Sequence, residues 1–548
     1  MNPTIIITIN FIIRIILALL SILIVYRCFS SMLRSIRGNN PLIMLYNKLT
    51  KKEIPIMYWE NSIGRSKNSD IVLSDPTVSR DHAVLLRREE GWIISDTNSK
   101  SGVYVNNHKI SDRKQVYIND TIKVGTTELV LQKYIGNQFK GKEKVRKTIS
   151  QGILLFLVTI FIALEATELF LCDLSYNYEA FIPFSILIVI AWSFYLINKY
   201  IFRRINFELE TLAIFLSSIG IGIISSEDIQ ETYIQLAAVF LGVITFYFII
   251  WFIEKPDRVM KWRLAISIIA ILLFALNLTL GTVHNGAQNW IQIGPISVQP
   301  SEFVKIAFIF VGASTLDKLQ TGKNLTEFIV FSAICIGALF LMGDFGTACI
   351  FFITFLIISF MRSGDIRTII LICAAAALGA FMILKFKPYV ANRFAAWGHV
   401  WDYADTLGYQ QTRVLTYSAS GGLFGLGLGN GNLKYVFAST SDLAFGMVCE
   451  ELGLIIAFVA ALTIVGFLMY TRKASTKSRS TFYYIAACSA AGLLVFQACL
   501  NIFGATDVLP LTGVTLPFIS MGGSSMISVW GLLAFIKVSD ERTYAARR

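Results

Sequence analysis

The sequence predicts a polytopic α-helical membrane protein with a small cytoplasmic all-β domain inserted near its N-terminus. Three observations predict it. Of 548 residues, 55% are hydrophobic and only 15% are charged, against about 45–50% and about 25% in ordinary soluble chains. The excess is gathered into runs of roughly 20 apolar residues, the length that crosses a bilayer. Residues 50–135 lack such runs and instead alternate apolar and polar positions at period two. A purely soluble enzyme is excluded, and the 13% aromatic content excludes a disordered chain.

The first apolar run, about residues 4–26, reads as an uncleaved anchor within residues 1–30. No Lys or Arg precedes it, Arg14 interrupts it, and no small-residue cleavage site follows. Arg27, Arg34 and Arg37 come next, so the positive-inside bias puts the following segment in the cytoplasm. Within 50–135 the stretches around Tyr58, 71–73, 82–86, 92–95, 102–105 and 129–132 are short and separated by turn residues, the pattern of a β-sandwich. Residues 136–208 read as a basic connector (Lys140, Lys142, Lys144, Arg146, Lys147) plus two extra spans, and 209–548 as the main membrane domain.

Candidate spans lie near 151–171, 180–200, 209–225, 233–253, 263–283, 302–318, 325–343, 347–362, 367–385, 443–470, 481–505 and 515–537. Loop charge supports the alternation. Arg203/Arg204, Arg258/Lys261, Lys318/Lys323, Arg362/Arg367, Arg472/Lys477 and Lys537/Arg542 fall on the side of the β domain, with the C-terminus. Asp173, Glu179, Glu227, Asp228 and Asp507 fall on the other. The net charge of +12 is thereby assigned to cytoplasmic loops rather than to nucleic-acid binding. Residues 386–442 form one long outer loop, ordered by its aromatic content. Eight dispersed cysteines without a CxxC pair, and four distant histidines, argue against a disulfide framework, a zinc ribbon or a His-based metal centre.

An ionisable residue inside a span costs about 2.5–3.5 kcal/mol and is a functional candidate by default. Glu302 and Lys305 are three apart at a helix start, on one face and able to pair. Asp344 stands where a span ends, and Glu450 and Glu451 lie in the span after the long loop. Glu165 and Glu168, in an earlier span, read as a contact between helices. The Gly-rich run 421–431 lacks a P-loop Lys-Ser/Thr and reads as a tight turn that lets backbone approach substrate.

Two resemblances follow from ordered motifs. Gly64-Arg65-Ser66, Ser79-Arg80-Asp81-His82 and Asn98-Ser99-Lys100-Ser101-Gly102 through Asn106 resemble a forkhead-associated (FHA) domain. That resemblance implies that Arg65 and Ser79 hold a phosphothreonine, that His82 braces the loop, and that Arg80 and Asn106 shape the site. An Arg and a hydroxyl beside it suit a phosphate chemically. Ser101 stands where the family often has Asn, which alters the contact to the bound peptide's backbone.

The membrane domain is similar to the SEDS family, the RodA/FtsW/SpoVE type of peptidoglycan polymerase, over about residues 209–537. The carriers are Asn285–Trp290 with Gln299-Pro300-Ser301-Glu302 and Lys305; Asp344–Thr347; Gly408-Tyr409-Gln410 through Gly421–Gly425 to Asp442 and Glu450–Gly453; and Leu516–Ser520 with Gly522–Ser525. Asn289, Gly343, Arg413, Met521 and Phe437-Ala438 depart from that family's usual residues. The resemblance implies ten spans, about three extra ones ahead of them, polymerisation of lipid II at the outer face of a bacterial plasma membrane, and work with a class B penicillin-binding transpeptidase.

The chemistry agrees. Glycosyl transfer from a diphosphate-linked donor needs a carboxylate to activate the acceptor hydroxyl and cations for the leaving diphosphate. Asp442, at the entry of a span and at the family's essential acidic position, fits the first need. Arg393, Arg413 and Lys434 fit the second, with Glu302, Lys305 and Asp344 as further substrate contacts. No DxD-type metal pair occurs in the outer loops; no cofactor is evident, and a divalent cation stays open. The expected partners are lipid II, the transpeptidase, a threonine-phosphorylated cytoplasmic protein and membrane lipids, with no nucleic acid. A lipid-linked precursor flippase and a non-catalytic scaffold for phosphoproteins are the alternatives.

Overall fold

The computed structural model describes residues 3–34, 41–66, 69–88, 91–134, 149–172, 179–204, 206–284, 287–294, 296–315, 323–363, 370, 372–374, 377, 395–475 and 480–540. The expected span at 367–385 and the outer residues 386–394, with Arg393, lie largely or wholly outside these.

The helix α1 (Pro3–Arg34) leads into a sandwich of eleven strands. These are β1 (Ile43–Asn47), β2 (Lys52–Ile56), β3 (Glu60–Gly64), β4 (Ile71–Val72), β5 (Ala83–Arg88), β6 (Gly91–Asp96), β7 (Val103–Val105), β8 (His108–Lys109), β9 (Arg113–Val116), β10 (Thr121–Val124) and β11 (Thr127–Gln132). One sheet has the order β2-β1-β11-β10-β7-β8 and the other β4-β3-β5-β6-β9. Burial along β11 alternates strictly, which turns Thr127, Leu129 and Leu131 into the core and Glu128, Val130 and Gln132 out of it. Leu45, Ile63, Leu85, Ile94, Val103 and Ile122 complete that core. The domain starts earlier than its expected boundary of 50, because β1 pairs with both β2 and β11.

The membrane part comprises α2 (Gln151–Cys172), α3 (Phe181–Leu196), α4 (Glu208–Glu227), α5 (Ile229–Ile253), α6 (Pro256–Leu280), α7 (Pro300–Thr315), α8 (Lys323–Leu341) and α9 (Phe345–Ser363). Further along the chain come α10 (Tyr409–Gly421), α11 (Ala444–Glu451), α12 (Leu454–Ser475), α13 (Thr481–Ala505) and α14 (Gly523–Ser539). Among the described residues, eight helices are long and apolar enough to cross a membrane, and three shorter ones are apolar. The chain is a multi-pass membrane protein. Helix α4 is buried along its length, the position of a central helix.

Two expected spans differ. The span 443–470 is two helices, broken at Leu452-Gly453. The span 515–537 becomes helical only at Gly523: Leu516 to Gly522 run as irregular chain, with Phe518 at φ +66°. Irregular main chain at this depth needs internal partners, and it has them. Gln497 Nε2 donates to the Thr515 carbonyl at 3.0 Å, Gln235 Nε2 to the Ser520 carbonyl at 3.1 Å, and the Gly522 amide to Gln235 Oε1 at 3.1 Å. The connection between α6 and α7 carries a small sheet of β12 (Thr282–His284), β13 (Ala287–Ile293) and β14 (Ile296–Val298).

The two ends of the helical bundle differ in what they hold. At one end the sandwich docks: Ser480 Oγ donates to Glu60 Oε1 at 3.1 Å, Arg88 lies 3.8 Å from Glu60, and the Trp59 and Tyr483 rings meet edge-on at 6.0 Å. The same end holds a buried ion pair, Lys537 Nζ to Glu210 at 2.7 Å, with Lys537 also donating to the Asn206 carbonyl at 2.8 Å. At the other end lie β12–β14 and the segment 395–443, where Ser439 Oγ donates to Glu227 at 3.1 Å and Trp397 Nε1 to the Val508 carbonyl at 3.2 Å.

Candidate functional site

The Glu302–Lys305 pair forms as its spacing predicts. One turn of α7 brings Lys305 Nζ to Glu302 Oε1 at 2.8 Å, with both side chains at most 5% exposed. A buried pair needs its remaining hydrogen-bonding capacity met. Ser528 on α14 donates to Glu302 Oε2 at 2.6 Å, and Lys305 donates to Gln497 Oε1 on α13 at 3.0 Å. Gln497 donates onward to Thr515, whose hydroxyl meets Ser525 Oγ at 2.7 Å.

One turn along α13, Asn501 donates to the main-chain oxygens of Asp442 at 2.9 Å and Val514 at 2.8 Å. Gln497 and Asn501, four residues apart and so on one helix face, join the Glu302–Lys305 pair to the segment that carries Asp442. Asp442 itself is half-buried. It lies one residue before Leu443, the N-cap of α11, which makes no side-chain hydrogen bond. Ser520 Oγ donates to the Ser441 carbonyl, and the Met521 amide to the Thr440 carbonyl at 2.8 Å, so the irregular 515–522 chain braces this segment from below.

The other candidates have distinct surroundings. Asp344 is the cap of α9, accepting from the Thr347 amide at 3.0 Å, and its second oxygen accepts from Gln299 at 3.2 Å and Asn289 at 3.3 Å. Asn289, one of the departures from the family pattern, thus still serves Asp344. Arg413 lies on α10 with its guanidinium 5.0 Å over the Tyr409 ring. Lys434 donates to the Gly429 carbonyl at 2.7 Å. Glu450 accepts from the Asn432 and Leu433 amides at 2.7 and 2.8 Å and fastens the turn before Asp442. The Gly-rich run makes its close approach to α11 rather than to open space: a Cβ on Gly425, at φ +79°, would stand 2.1 Å from the Glu451 carbonyl oxygen. Among the described residues, no group of three or more His, Cys, Asp or Glu side chains is placed to hold a metal ion.

On the sandwich, the loops gather Arg65, Ser79, Lys100 and Ser101. The Arg65 amide donates to the Ser79 carbonyl at 3.0 Å, and the Lys100 amide to Ser79 Oγ at 3.1 Å. Buried His82 ties them together, accepting from the Ser79 amide at 3.0 Å on Nδ1 and lying 3.2 Å from the Gly102 carbonyl on Nε2. The Arg65 and Arg80 side chains are exposed. Asn106 is set apart from this group by its bonds: its amide donates to Asp120 at 2.8 Å and its oxygen accepts from the Thr121 amide, closing the turn onto β10. Burial alone would raise the Asp75 carboxyl, but hydrogen bonds from Thr126, Thr77 and Thr127 hold it below the usual carboxylate range and lock the neighbouring loop.

Gln497, Asn501, Ser528 and Gln235 are absent from the sequence-based candidates. Their one signal is an uncharged polar side chain inside an apolar run, with Gln497 and Asn501 at helical spacing.

Comparison with known proteins gives the same two parts. A family model described as Cell cycle protein, covering FtsW, RodA and SpoVE, matches residues 202–544, and a model of the FHA domain matches residues 61–125. The chain is 31% identical over 336 residues to "Probable peptidoglycan glycosyltransferase FtsW" of Buchnera aphidicola subsp. Acyrthosiphon pisum, covering 58% of this chain and 84% of that protein. It is 30% identical over 305 residues to "Stage V sporulation protein E" of Bacillus subtilis, covering 53% and 82%. It is 26% identical over 323 residues to "Peptidoglycan glycosyltransferase RodA" of Mycobacterium bovis, covering 55% and 68%. A chain from a solved peptidoglycan synthase complex, described as coordinating polymerization and crosslinking, shares the fold at a TM-score of 0.53 and 23% identity, over 61% of this chain and 96% of that one. The chain therefore belongs to the FtsW/RodA/SpoVE family, and it carries an FHA domain ahead of that family's membrane domain.

Proposed function

We propose that this protein polymerises lipid II into glycan strands on the outer face of a bacterial plasma membrane, with Asp442 as the base. The observation that carries the reading is the fixed position of Asp442. It borders the outer segment, it immediately precedes the N-cap of α11, and Asn501 holds its main chain within the same network as the buried Glu302–Lys305 pair. The peptidoglycan glycosyltransferase names of its relatives support the reaction class.

In this reading the Asp442 carboxylate takes the proton of an acceptor sugar hydroxyl as that oxygen attacks the anomeric carbon of the lipid-diphosphate donor chain. The glycosidic bond forms as the bond to the diphosphate breaks, and the diphosphate leaves with its charge met by cations. Of these, Arg413 stands on the outer helix α10, and Arg393 belongs to the same outer segment. Lys434 bonds the Gly429 carbonyl and contributes chiefly by shaping the loop. A class B transpeptidase crosslinks the product. The β domain faces the cytoplasm, where Arg65, Ser79 and Ser101 bind a phosphothreonine protein that regulates the enzyme. The membrane domain runs from about 209, preceded by α1 and the extra spans α2 and α3. A flippase finds less support, because Asp344 caps α9 and binds β13 instead of lining a path.

The test is turnover of purified lipid II by the purified full-length chain, with and without a candidate class B transpeptidase. Glycan strands from the unmodified chain and none from Asp442→Asn are expected. Equal polymerisation by both would overturn the mechanism.

A further inference from the structure

Helices that precede the family-matched region reach into its glycine loop. On α1, Arg14 Nη1 donates to the Gly425 carbonyl at 2.6 Å, and its Nε lies 3.9 Å from Glu168 on α2. One turn earlier, the Phe11 ring meets Phe424 edge-on at 6.4 Å. At the end of α2, Cys172 Sγ donates to Asn430 Oδ1 at 3.1 Å. Gly427 sits so close that a Cβ there would be 3.1 Å from the Glu168 carboxylate. The opposite side of the same loop is fastened to α11, where the Leu426 and Gly427 amides donate to the Glu450 and Glu451 carbonyls at 2.8 and 2.9 Å. The loop is therefore clamped between α1–α2 and α11, and it leads through the Glu450-held turn to Asp442.

A guanidinium within a span is costly to insert and persists where it has a task. Neutralising Glu168 accounts for the charge of Arg14 but not for its bond to a main-chain oxygen of the loop. We propose that Arg14 is a positioning residue for polymerisation, fixing the 424–433 loop through the Gly425 carbonyl and so setting the approach of the segment that bears Asp442. The inference rests on the polymerase reading above, and it makes α1 and α2 working parts of the enzyme.

The test compares the full-length chain in lipid nanodiscs with Arg14→Met/Glu168→Gln, Arg14→Lys and Glu168→Gln. Hydrogen exchange over residues 424–433 and lipid II polymerisation are read on the same samples. The double variant removes both charges together, so neither member of the pair is left buried without the other. It is expected to exchange faster at Leu426 and Gly427 and to lose roughly tenfold in kcat with KM little changed, the size of one charged hydrogen bond. Arg14→Lys, which keeps a donor, recovers most of both, and Glu168→Gln alone keeps the slow exchange. A double variant with the unmodified exchange and rate would show that Arg14 only neutralises Glu168, and faster exchange at an unchanged rate would equally overturn the proposal. An unmodified chain inert toward lipid II would sink the polymerase reading instead, a separable result because exchange is read without turnover.

Discussion

Asn501 holds Asp442 by its main chain: the Asn501 side-chain amide donates to the Asp442 carbonyl oxygen at 2.9 Å and to that of Val514 at 2.8 Å. An acid on the 438–443 segment is thereby anchored to a membrane helix, and the helix that anchors it also binds the Glu302–Lys305 pair through Gln497.

Asp442→Asn should lower polymerisation about 10²–10⁴-fold, the usual contribution of a positioned base. Asn is nearly isosteric, so lipid II binding should stay largely intact. Single-turnover assays beside a lipid II binding titration check both halves.

Asn501→Ala removes the side-chain donor to two carbonyl oxygens and should cost about 1–3 kcal/mol of stability. Its larger effect should fall on kcat, since a displacement of about 1 Å at a reacting group can cost about 100-fold. Kinetics at saturating lipid II, read beside thermal unfolding, separate the two. A stability loss with an unchanged kcat would remove Asn501 from the catalytic argument.

Arg65→Ala should weaken phosphothreonine-peptide binding by about one to two decades, the worth of one charge-assisted hydrogen bond. The fold should survive, because the Arg65 side chain is exposed and its amide, not its guanidinium, bonds the Ser79 carbonyl. Asn106→Ala should instead loosen the turn onto β10. Fluorescence anisotropy with phosphorylated and unphosphorylated peptides tests both.

Glu210→Gln removes the carboxylate that pairs with Lys537 at 2.7 Å, where only 1% of the Lys537 side chain is exposed. A loss of about 3–5 kcal/mol is expected, and Glu210→Leu with Lys537→Met should recover much of it. Thermal unfolding of the three proteins in one detergent is the measurement.

Cysteines placed at Asp405 and Lys100 test the orientation. Labelling from outside intact cells should reach position 405 and not position 100; the reverse would overturn both the topology and the outer location of the chemistry.

Much of this molecule is legible in its sequence, and the limits have a physical cause. The grouping of Arg65, Ser79 and His82 is readable because their ordered motifs resemble the FHA domain, and that of Glu302 and Lys305 because helical periodicity alone brings them together. Hydropathy measures apolarity and is blind to main-chain hydrogen bonding. It therefore ran a span through Leu516-Pro517-Phe518, where Gln235, Gln497 and Ser520 side chains replace helical partners. It likewise joined α11 to α12 across Gly453. Gln497 and Asn501 carry no charge, so nothing local marks them; their meaning comes from what α7 and the 438–443 segment place beside them.

The docking contacts at Ser480 and Tyr483 give α13 a mechanical property. The helix starts against the FHA domain and reaches Asn501 after about 30 Å of unbroken rise. A rod of that length behaves as a lever: a tilt of about 2° about its Thr481 end sweeps its far end by about 1 Å, the scale on which reaction geometry is lost. Strand β3 closes the linkage, since Glu60 at one end grips Ser480 while the other end runs directly into Arg65. Arg65 is thus joined to the Asp442 main chain by five residues of strand, the Glu60–Ser480 hydrogen bond, and one helix that ends its reach at Asn501.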